Sequence, residues 1–245
     1  MVLYLIGLGL HDPKDISIKG LEVVKEADEV YLEGYTSSLY ATKEELERFY
    51  GRPILPADRT CVEQTLPKEI LPRAKEKVIA LLVIGDPLAA TTHMSLRLDA
   101  HEKGIPVKVI HNASVLTAIG VTGLELYKFG KVTSIPFENT DVTAPIDAYK
   151  LNQDAGLHTL FLLDLMPDED RFMRVAEAAA YLIRMGIDPD KTAIACAGLG
   201  DDEPELCTTS LKQMQDKQPE KIPQCLILPG RLHFLEEESI ELWRR

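Results

Sequence analysis

Two closely spaced glycines follow the first apolar stretch of the chain. Gly7-Leu8-Gly9 comes directly after the run Val2–Ile6, where an open α/β sheet carries its nucleotide-binding loop. The third glycine of the dinucleotide fingerprint is replaced by Asp12, whose charge would oppose a diphosphate. The segment is therefore weak evidence for a nicotinamide cofactor, and a tight turn that needs small residues explains the two glycines equally well.

Two further segments place polar side chains after apolar stretches. Asp86 stands between Gly85 and Pro87, at the carboxyl end of the run Val78–Ile84, where doubly wound sheets bind ligands. Its alternative role is that of a cap before the next helix. His111-Asn112-Ala113-Ser114 follows the next apolar run, and a helix beginning there would direct N–H groups at a ligand carboxylate. Ser114 as a plain N-cap fits equally well.

Other polar residues form no pattern with a clear chemistry. The six histidines lack the spacing of a metal motif, so no metal site is predicted. Cys196 and Cys207 have no basic sequence neighbour that would lower the pKa of a thiol, so they should act as small hydrophobes. The acidic run Glu236-Glu237-Glu238 should be a solvated face.

The elements that must position the first three segments alternate between strands and helices. We expect strands at Val2–Ile6, Asp28–Glu33, Val78–Ile84 and Ile105–Ile110. Helices are expected at Ile18–Ala27 with Ser17 as N-cap, at Leu66–Lys77 and at Thr91–Lys103. Another helix should follow the capping box of Thr42 and Glu45, with Leu46 and Phe49 as a short apolar stripe that ends before Gly51. This order predicts a doubly wound, mostly parallel sheet for residues 1–110.

A second α/β domain is expected over residues 111–245. Its predicted strands are Val132–Ile135, Leu157–Leu165, Thr192–Ala197 and Cys225–Leu228. Its predicted helices are Ser114–Ile119, a stripe from Phe172 to Ile183 that ends at Gly186, Thr209–Lys217 and Ser239–Arg245.

Composition narrows the class of protein. The 245 residues contain 39 Asp and Glu against 27 Lys and Arg, and the net charge of −12 disfavours direct nucleic-acid binding. No apolar run approaches the length of a membrane span, and the apolar start lacks the features of a signal peptide. Four scattered cysteines without a CxxC pair fit a cytoplasmic protein.

These segments, in this order, resemble the tetrapyrrole-methylase-like (class III) family of S-adenosylmethionine-dependent methyltransferases, and within it the diphthine branch. The resemblance covers nearly the whole chain and rests on Ile6–Leu10, Asp15-Ile16, Lys19–Leu21, Tyr35-Thr36-Ser37, Gly85–Leu88, Ala90–His93, His111, Ser114, Gly120, Thr122–Leu124, Tyr127–Lys131, Gly156–Leu160, Asp164 and Pro229–His233. It implies two α/β domains, with the cofactor S-adenosylmethionine bound in the cleft between them, and a homodimer.

The resemblance also implies a reaction and a set of cofactor contacts. The reaction is methyl transfer to the amino group of a 3-amino-3-carboxypropyl histidine on translation elongation factor 2, a step of diphthamide biosynthesis. The contacts carried over by motif are Leu10, Asp86, Ala89, Ser114, Val115, Leu163, Ala197 and Gln224. The family often has His at the position of Gln224, and Gly198–Pro204 aligns with a gap. No catalytic base is assigned.

Three alternatives remain open on the sequence. A corrin or porphyrin-precursor methyltransferase of the same fold would need cations for a polycarboxylate macrocycle, and the loops offer mainly Lys128, Lys131 and Arg231. A protein that holds S-adenosylmethionine without turnover is the second. A nicotinamide-dependent oxidoreductase is the third, and the interrupted glycine motif argues against it.

Overall fold

The computed structural model describes residues 1–35, 37, 39–90 and 93–244, and it divides the chain into two compact units, Met1–Leu116 and Thr117–Arg245. We refer to them as unit 1 and unit 2. Thr36, Thr91 and Thr92, which belong to the motifs above, lie outside the described residues. Within the described ranges, no helix combines the length and the apolar character needed to cross a membrane.

Unit 1 contains a five-stranded parallel sheet. Its strands are β1 (Val2–Gly7), β2 (Glu29–Glu33), β3 (Leu55–Ala57), β4 (Val78–Val83) and β5 (Val107–Ile110), in the order β3-β2-β4-β1-β5. Successive residues of β4 pack into two different apolar clusters, with Leu81 in one and Leu82 in the other. Both faces of the sheet are therefore covered, which explains the unalternating apolar runs and confirms the predicted parallel sheet.

Two helices of unit 1 begin at the capping residues that the sequence predicts. α1 (Ile18–Glu26) is capped by the Ser17 side chain, which accepts a hydrogen bond from the Gly20 N–H. α2 (Lys43–Tyr50) begins with the predicted capping box, but it buries Leu46 and Tyr50 and leaves Phe49 exposed. The apolar stripe therefore consists of Leu46 and Tyr50, and the prediction that Phe49 belongs to it was wrong.

Two helical segments of unit 1 differ from the predicted bounds. The helix expected at Leu66–Lys77 is a π-helical segment at Cys61–Ile70 followed by a 3₁₀ turn at Leu71–Lys75. Pro67 and Pro72 lack the N–H that an α-helical interior needs, which accounts for the irregular geometry. α3 runs from Met94 to Glu102.

Unit 2 is built on a second five-stranded sheet, of mixed direction. Its strands are β6 (Thr133–Ile135), β7 (Thr159–Leu163), β10 (Thr192–Ala197), β11 (Glu205–Ser210) and β12 (Gln224–Leu228). They lie in the order β11-β10-β12-β7-β6. Two further strands, β8 (Leu165–Met166) and β9 (Arg171–Phe172), form a separate small hairpin. Only β6 and β7 pair in parallel among these described strands.

Five helices accompany the second sheet: α4 (Val115–Ala118), which crosses the boundary between the units, α5 (Ala144–Asp154), α6 (Val175–Arg184), α7 (Leu211–Met214) and α8 (Phe234–Glu241). α6 buries the predicted Val175, Ala179 and Leu182, but Phe172 belongs to β9. Part of the helix expected at Thr209–Lys217 is strand, because Thr209 and Ser210 end β11. The terminal helix was expected at Ser239 but begins at Phe234. A capping box formed by His233 and Glu236 defines this earlier start.

Candidate functional site

The candidate site of unit 1 lies at a switch point of its parallel sheet. β1 and β4 are neighbours, and the chain leaves β1 for β2 on one side of this pair and leaves β4 for β5 on the other. Ligands of doubly wound sheets bind beyond the carboxyl ends of strands at such a point. Gly9 and Gly85 face each other there through two backbone hydrogen bonds, of 2.7 and 3.3 Å. Both glycines have φ near +80°, which favours residues without a Cβ.

Asp86 connects the second and third of the predicted segments. Its Oδ1 accepts a hydrogen bond from the Leu88 N–H at 2.9 Å, and its Oδ2 accepts from the Asn112 N–H at 3.1 Å and lies 2.8 Å from the His111 Nδ1. Burial raises the pKa of the Asp86 carboxyl, but these hydrogen bonds outweigh it and the net pKa is below the ordinary value. Asp86 is therefore an anion, 8% exposed, and among the described residues its Oδ1 accepts one hydrogen bond where a carboxylate oxygen can accept two.

Asn112 joins the first segment to the third. Its Nδ2 donates to the backbone oxygens of Gly7 and Asp15, both at 2.9 Å. The Asp15 Oδ2 in turn accepts the N–H groups of Leu10 at 3.2 Å and His11 at 2.8 Å. The three segments thus form one network, which we call the loop cluster. Sequence reasoning had given neither side chain this role, because short polar residues after strands are common and their partners are distant in sequence.

The structure brings together the cofactor contacts that the resemblance placed in unit 1. A Cβ placed on Gly85 would make ordinary van der Waals contact with the Ala113 oxygen at 3.8 Å and the Leu10 side chain at 3.9 Å, so Gly85, Leu10 and Ala113 are close neighbours. Ala89 closes the turn at Asp86 with a backbone hydrogen bond of 3.2 Å.

Ser114 and Val115 complete the unit 1 set. Ser114 is 6% exposed and directly precedes α4, which has only four residues before a 3₁₀ turn at Ile119–Thr122. The helix predicted at Ser114–Ile119 is therefore present, as α4 followed by the 3₁₀ turn, but with only four α-helical residues its dipole contributes little at Ser114.

The three cofactor contacts assigned to unit 2 are also neighbours. Ala197 pairs with Gln224 across β10 and β12, and Cys225 pairs with Leu162, which precedes Leu163 at the end of β7. The Gln224 amide is occupied by its own unit, since Oε1 accepts the Val175 N–H at 2.9 Å and Nε2 donates to the backbone oxygens of Pro219 and Lys221. Their role as cofactor contacts stays a prediction.

A second network in unit 2 contains Glu236, which was wrongly predicted to be solvated. Glu236 is fully buried. Its Oε1 accepts from the Glu125 N–H at 3.0 Å and lies 2.9 Å from the His158 Nε2. Its Oε2 accepts from the His233 N–H at 2.8 Å and from the Lys128 ammonium. We call this the Glu236 cluster, and it joins the motif segments at 127–131, 156–160 and 229–233.

The protonation of the Glu236 cluster follows from its donors. The Gly230 N–H donates to the His158 Nδ1 at 3.0 Å, so His158 is neutral and its Nε2–H donates to Glu236. Burial lowers the pKa of His158, which favours the same neutral form. Burial raises the pKa of Glu236, but its four hydrogen bonds outweigh it and bring the pKa to about 2.

Two other kinds of chemistry, metal ligation and thiol reactivity, have little support among the described residues. No group of three or more His, Cys, Asp or Glu side chains in these parts of the chain is placed to hold a metal ion. Cys196 and Cys207 are buried, which confirms their role as small hydrophobic residues.

Comparison with known proteins identifies the class. The family model of Tetrapyrrole (Corrin/Porphyrin) Methylases matches residues 2–215. A crystal structure of a diphthine synthase superposes with a TM-score of 0.94 at 37% identity, covering 100% of this chain and 96% of that one. The fold is thus that of a two-domain class III methyltransferase, and this chain is a methyltransferase.

Full-length relatives define the branch. The diphthine methyl ester synthase of Aspergillus fumigatus is 44% identical over 96% of this chain and 91% of its own length. The human diphthine methyl ester synthase is 42% identical over 99% and 95%. The diphthine synthase of Methanocaldococcus jannaschii is 39% identical over 98% of both chains. The chain belongs to the diphthine synthase branch of the tetrapyrrole methylase family.

Proposed function

We propose that this methyltransferase transfers methyl groups from S-adenosylmethionine to the 3-amino-3-carboxypropyl histidine of translation elongation factor 2, in diphthamide biosynthesis. The observation that carries the proposal is the similarity, along nearly the full length of both chains, to diphthine and diphthine methyl ester synthases of a fungus, a mammal and an archaeon. The acidic charge of the chain also suits a protein substrate better than the RNA that surrounds it on the ribosome.

The loop cluster fits S-adenosylmethionine as a ligand. Asp86 offers its carboxylate, whose Oδ1 accepts a single hydrogen bond among the described residues, to a ribose hydroxyl or to the methionine ammonium. S-adenosylmethionine supplies a methyl group on an activated sulfonium, so the protein's main task is positioning. Asp86 serves that task as a binding group whose orientation is fixed by Leu88, His111 and Asn112.

The products of the reaction have two candidate forms. The amino group of the substrate must lose its proton before it attacks a methyl group, and its methylation gives diphthine. The relatives from Aspergillus fumigatus and human are named for a methyl ester, which is the product of attack by a carboxylate. A carboxylate is already ionised at neutral pH, so it attacks without prior loss of a proton.

Calorimetric titration tests the cofactor first. S-adenosylhomocysteine should bind saturably, whereas NADH and a porphyrin precursor should produce no heat of binding in the same preparation. Binding of the porphyrin precursor would favour a macrocycle methylase, and absence of S-adenosylhomocysteine binding by folded protein would refute the cofactor assignment.

A transfer assay then tests the substrate and the product. Elongation factor 2 that carries the modified histidine should gain methyl groups, counted by mass spectrometry, and the unmodified factor should gain none. Mild alkali removes an ester methyl group and leaves methyl groups on nitrogen, so a loss of one methyl group after alkali identifies the ester. Tight S-adenosylhomocysteine binding without transfer would instead favour a non-catalytic binding protein.

We also propose that the chain acts in the cytoplasm as a homodimer, as the family resemblance implies. Light scattering of the purified protein should give twice the chain mass, and a monomer mass at micromolar concentration would contradict this assembly.

A further inference from the structure

Unit 2 contains a cavity of about 500 Å³ that none of the assigned contacts uses. Its lining includes Lys128, Asp154, Leu157, Arg231, Leu232 and His233. Arg231 and Leu157 are held together at this place, because the Arg231 N–H donates to the oxygen of Gly156 at 3.0 Å. The lining thus combines the segments just before β7 and just after β12.

Strand register separates this cavity from the cofactor contacts assigned to unit 2. Leu163 ends β7, whereas Leu157 lies two residues before β7 begins at Thr159. Four steps along the strand at about 3.3 Å each place Thr159 roughly 13 Å from Leu163. Gln224 begins β12, and Arg231 follows its other end at Leu228. The cavity therefore lies beyond one end of strands β7 and β12, and Leu163, Ala197 and Gln224 lie at the other end of the sheet's strands.

One cation and one anion of the lining are unpaired. The Lys128 ammonium is neutralised by buried Glu236 and also donates to the Arg231 backbone oxygen at 2.8 Å. Arg231 and Asp154 are exposed, and within the described part of the chain neither side chain has a hydrogen bond or ion pair. Arg231 and Asp154 line the same cavity without neutralising each other, so the cavity presents charges of both signs to a ligand.

The position of Asp154 strengthens the negative side of this arrangement. Asp154 is the last residue of α5, where the carbonyl ends of the helix carry a partial negative charge. A carboxylate there is unfavourable without a cation, and an ammonium group would be attracted by both the side chain and the helix end. Leu157 and Leu232 are half-buried beside these charges and offer apolar contact.

We propose that this cavity binds a small zwitterion, a free amino acid or a short peptide, with its carboxylate on the Arg231 guanidinium and its ammonium group on the Asp154 carboxylate. Guanidinium and carboxylate form strong, geometrically defined pairs. The site is separate from the methyl-donor contacts assigned to unit 2 and goes beyond the proposed function.

Calorimetry with four probes tests both charges of the ligand on the intact protein, saturated with S-adenosylhomocysteine. L-leucine and L-leucyl-L-leucine carry both charges, and their relative affinities show which spacing fits. N-acetyl-L-leucine lacks the ammonium group and L-leucinamide lacks the carboxylate, so each should bind about tenfold more weakly or not at all.

Variants assign the binding to the cavity. Arg231→Gln and Asp154→Asn should each weaken binding of the better zwitterion about tenfold or more, whereas Arg48→Gln, an exposed change on α2 of unit 1, should leave it unchanged. The proposal is overturned if neither zwitterion binds, if Arg231→Gln and Asp154→Asn have no effect, or if S-adenosylhomocysteine competes with the zwitterion.

Discussion

Two buried carboxylates, Asp86 in the loop cluster and Glu236 in the Glu236 cluster, differ in how completely their oxygens are occupied. Each Glu236 oxygen accepts two donors, and the residue is 0% exposed. The Asp86 Oδ1 accepts one donor, and the residue is 8% exposed. A carboxylate has about four acceptor positions, so Glu236 is filled by its own chain, whereas the described residues fill three positions of Asp86 and leave one for a ligand.

The comparison indicates that Glu236 is an anion with a structural role and that Asp86 is an anion available to bind a ligand. In both residues burial raises the pKa and hydrogen bonds outweigh it, so both are ionised and a lowered pKa does not distinguish them. What distinguishes them, among the described residues, is that the Asp86 Oδ1 accepts one donor where each Glu236 oxygen accepts two, and that Asp86 is partly exposed. We therefore expect changes at Glu236 to affect stability and changes at Asp86 to affect ligand binding.

The largest effect is expected for Glu236→Gln. The amide cannot accept all four donors and leaves Lys128, among the described residues, with only the more distant Glu125 carboxylate at 3.8 Å, so unit 2 should lose about 4 kcal/mol of stability. Urea unfolding followed by the fluorescence of Trp243, the single tryptophan, reports on this unit. Glu237→Gln, an exposed neighbour on α8, should cost less than about 0.5 kcal/mol. Equal costs for the two variants would refute the structural role of Glu236.

A slightly smaller effect is expected from acid. The folded pKa of Glu236, about 2, lies below its ordinary value of 4.5, so its stabilisation is complete above pH 4.5 and is lost as pH falls toward 2. The full shift corresponds to about 3 kcal/mol. The lowered pKa of His158 acts in the same direction, because the unfolded chain takes up a proton first. Glu236→Gln should have a flatter Trp243 stability profile over this range, and parallel profiles would contradict the assignment.

The parallel sheet and its loops could be predicted from the sequence because local signals agree there. Buried strands such as Val78–Val83 are continuous apolar runs, and Ser17 and Thr42 are strong helix caps. The glycines and Asp86 follow strands directly, so topology alone brings them to one edge of the sheet.

The remaining features depend on contacts between distant residues. Glu236 resembles a solvated acid in sequence, and its burial depends on Lys128 and His158, which are 108 and 78 residues away. Asn112 likewise reaches back 105 residues to Gly7. β11 was missed because its threonines also suit a helix cap, and pairing with β10 decides their conformation.

A moderate effect is expected for Asn112→Ala. The change removes the donors to the backbone oxygens of Gly7 and Asp15 and should cost unit 1 about 2 kcal/mol. Hydrogen exchange should accelerate at the Leu10 and His11 amides, which bond to Asp15. Lys108→Ala, a nearby exposed change on β5, should leave their exchange unchanged. Unaltered exchange in Asn112→Ala would show that the loop cluster does not depend on this side chain.

The smallest free-energy change, and the one that decides the comparison, is expected for Asp86→Asn. Replacing the anion should weaken S-adenosylhomocysteine binding about tenfold, or about 1.4 kcal/mol, because the hydrogen bond from the ligand to the charged carboxylate is lost. Asp28→Asn is the matched control, since the Asp28 Oδ2 also accepts a backbone N–H, from Val78 at 2.8 Å, but at the amino end of β4. Calorimetry should therefore show normal affinity for Asp28→Asn. Equal affinities for both variants and the wild type would place Asp86 with Glu236 as a structural anion and remove it from the cofactor site.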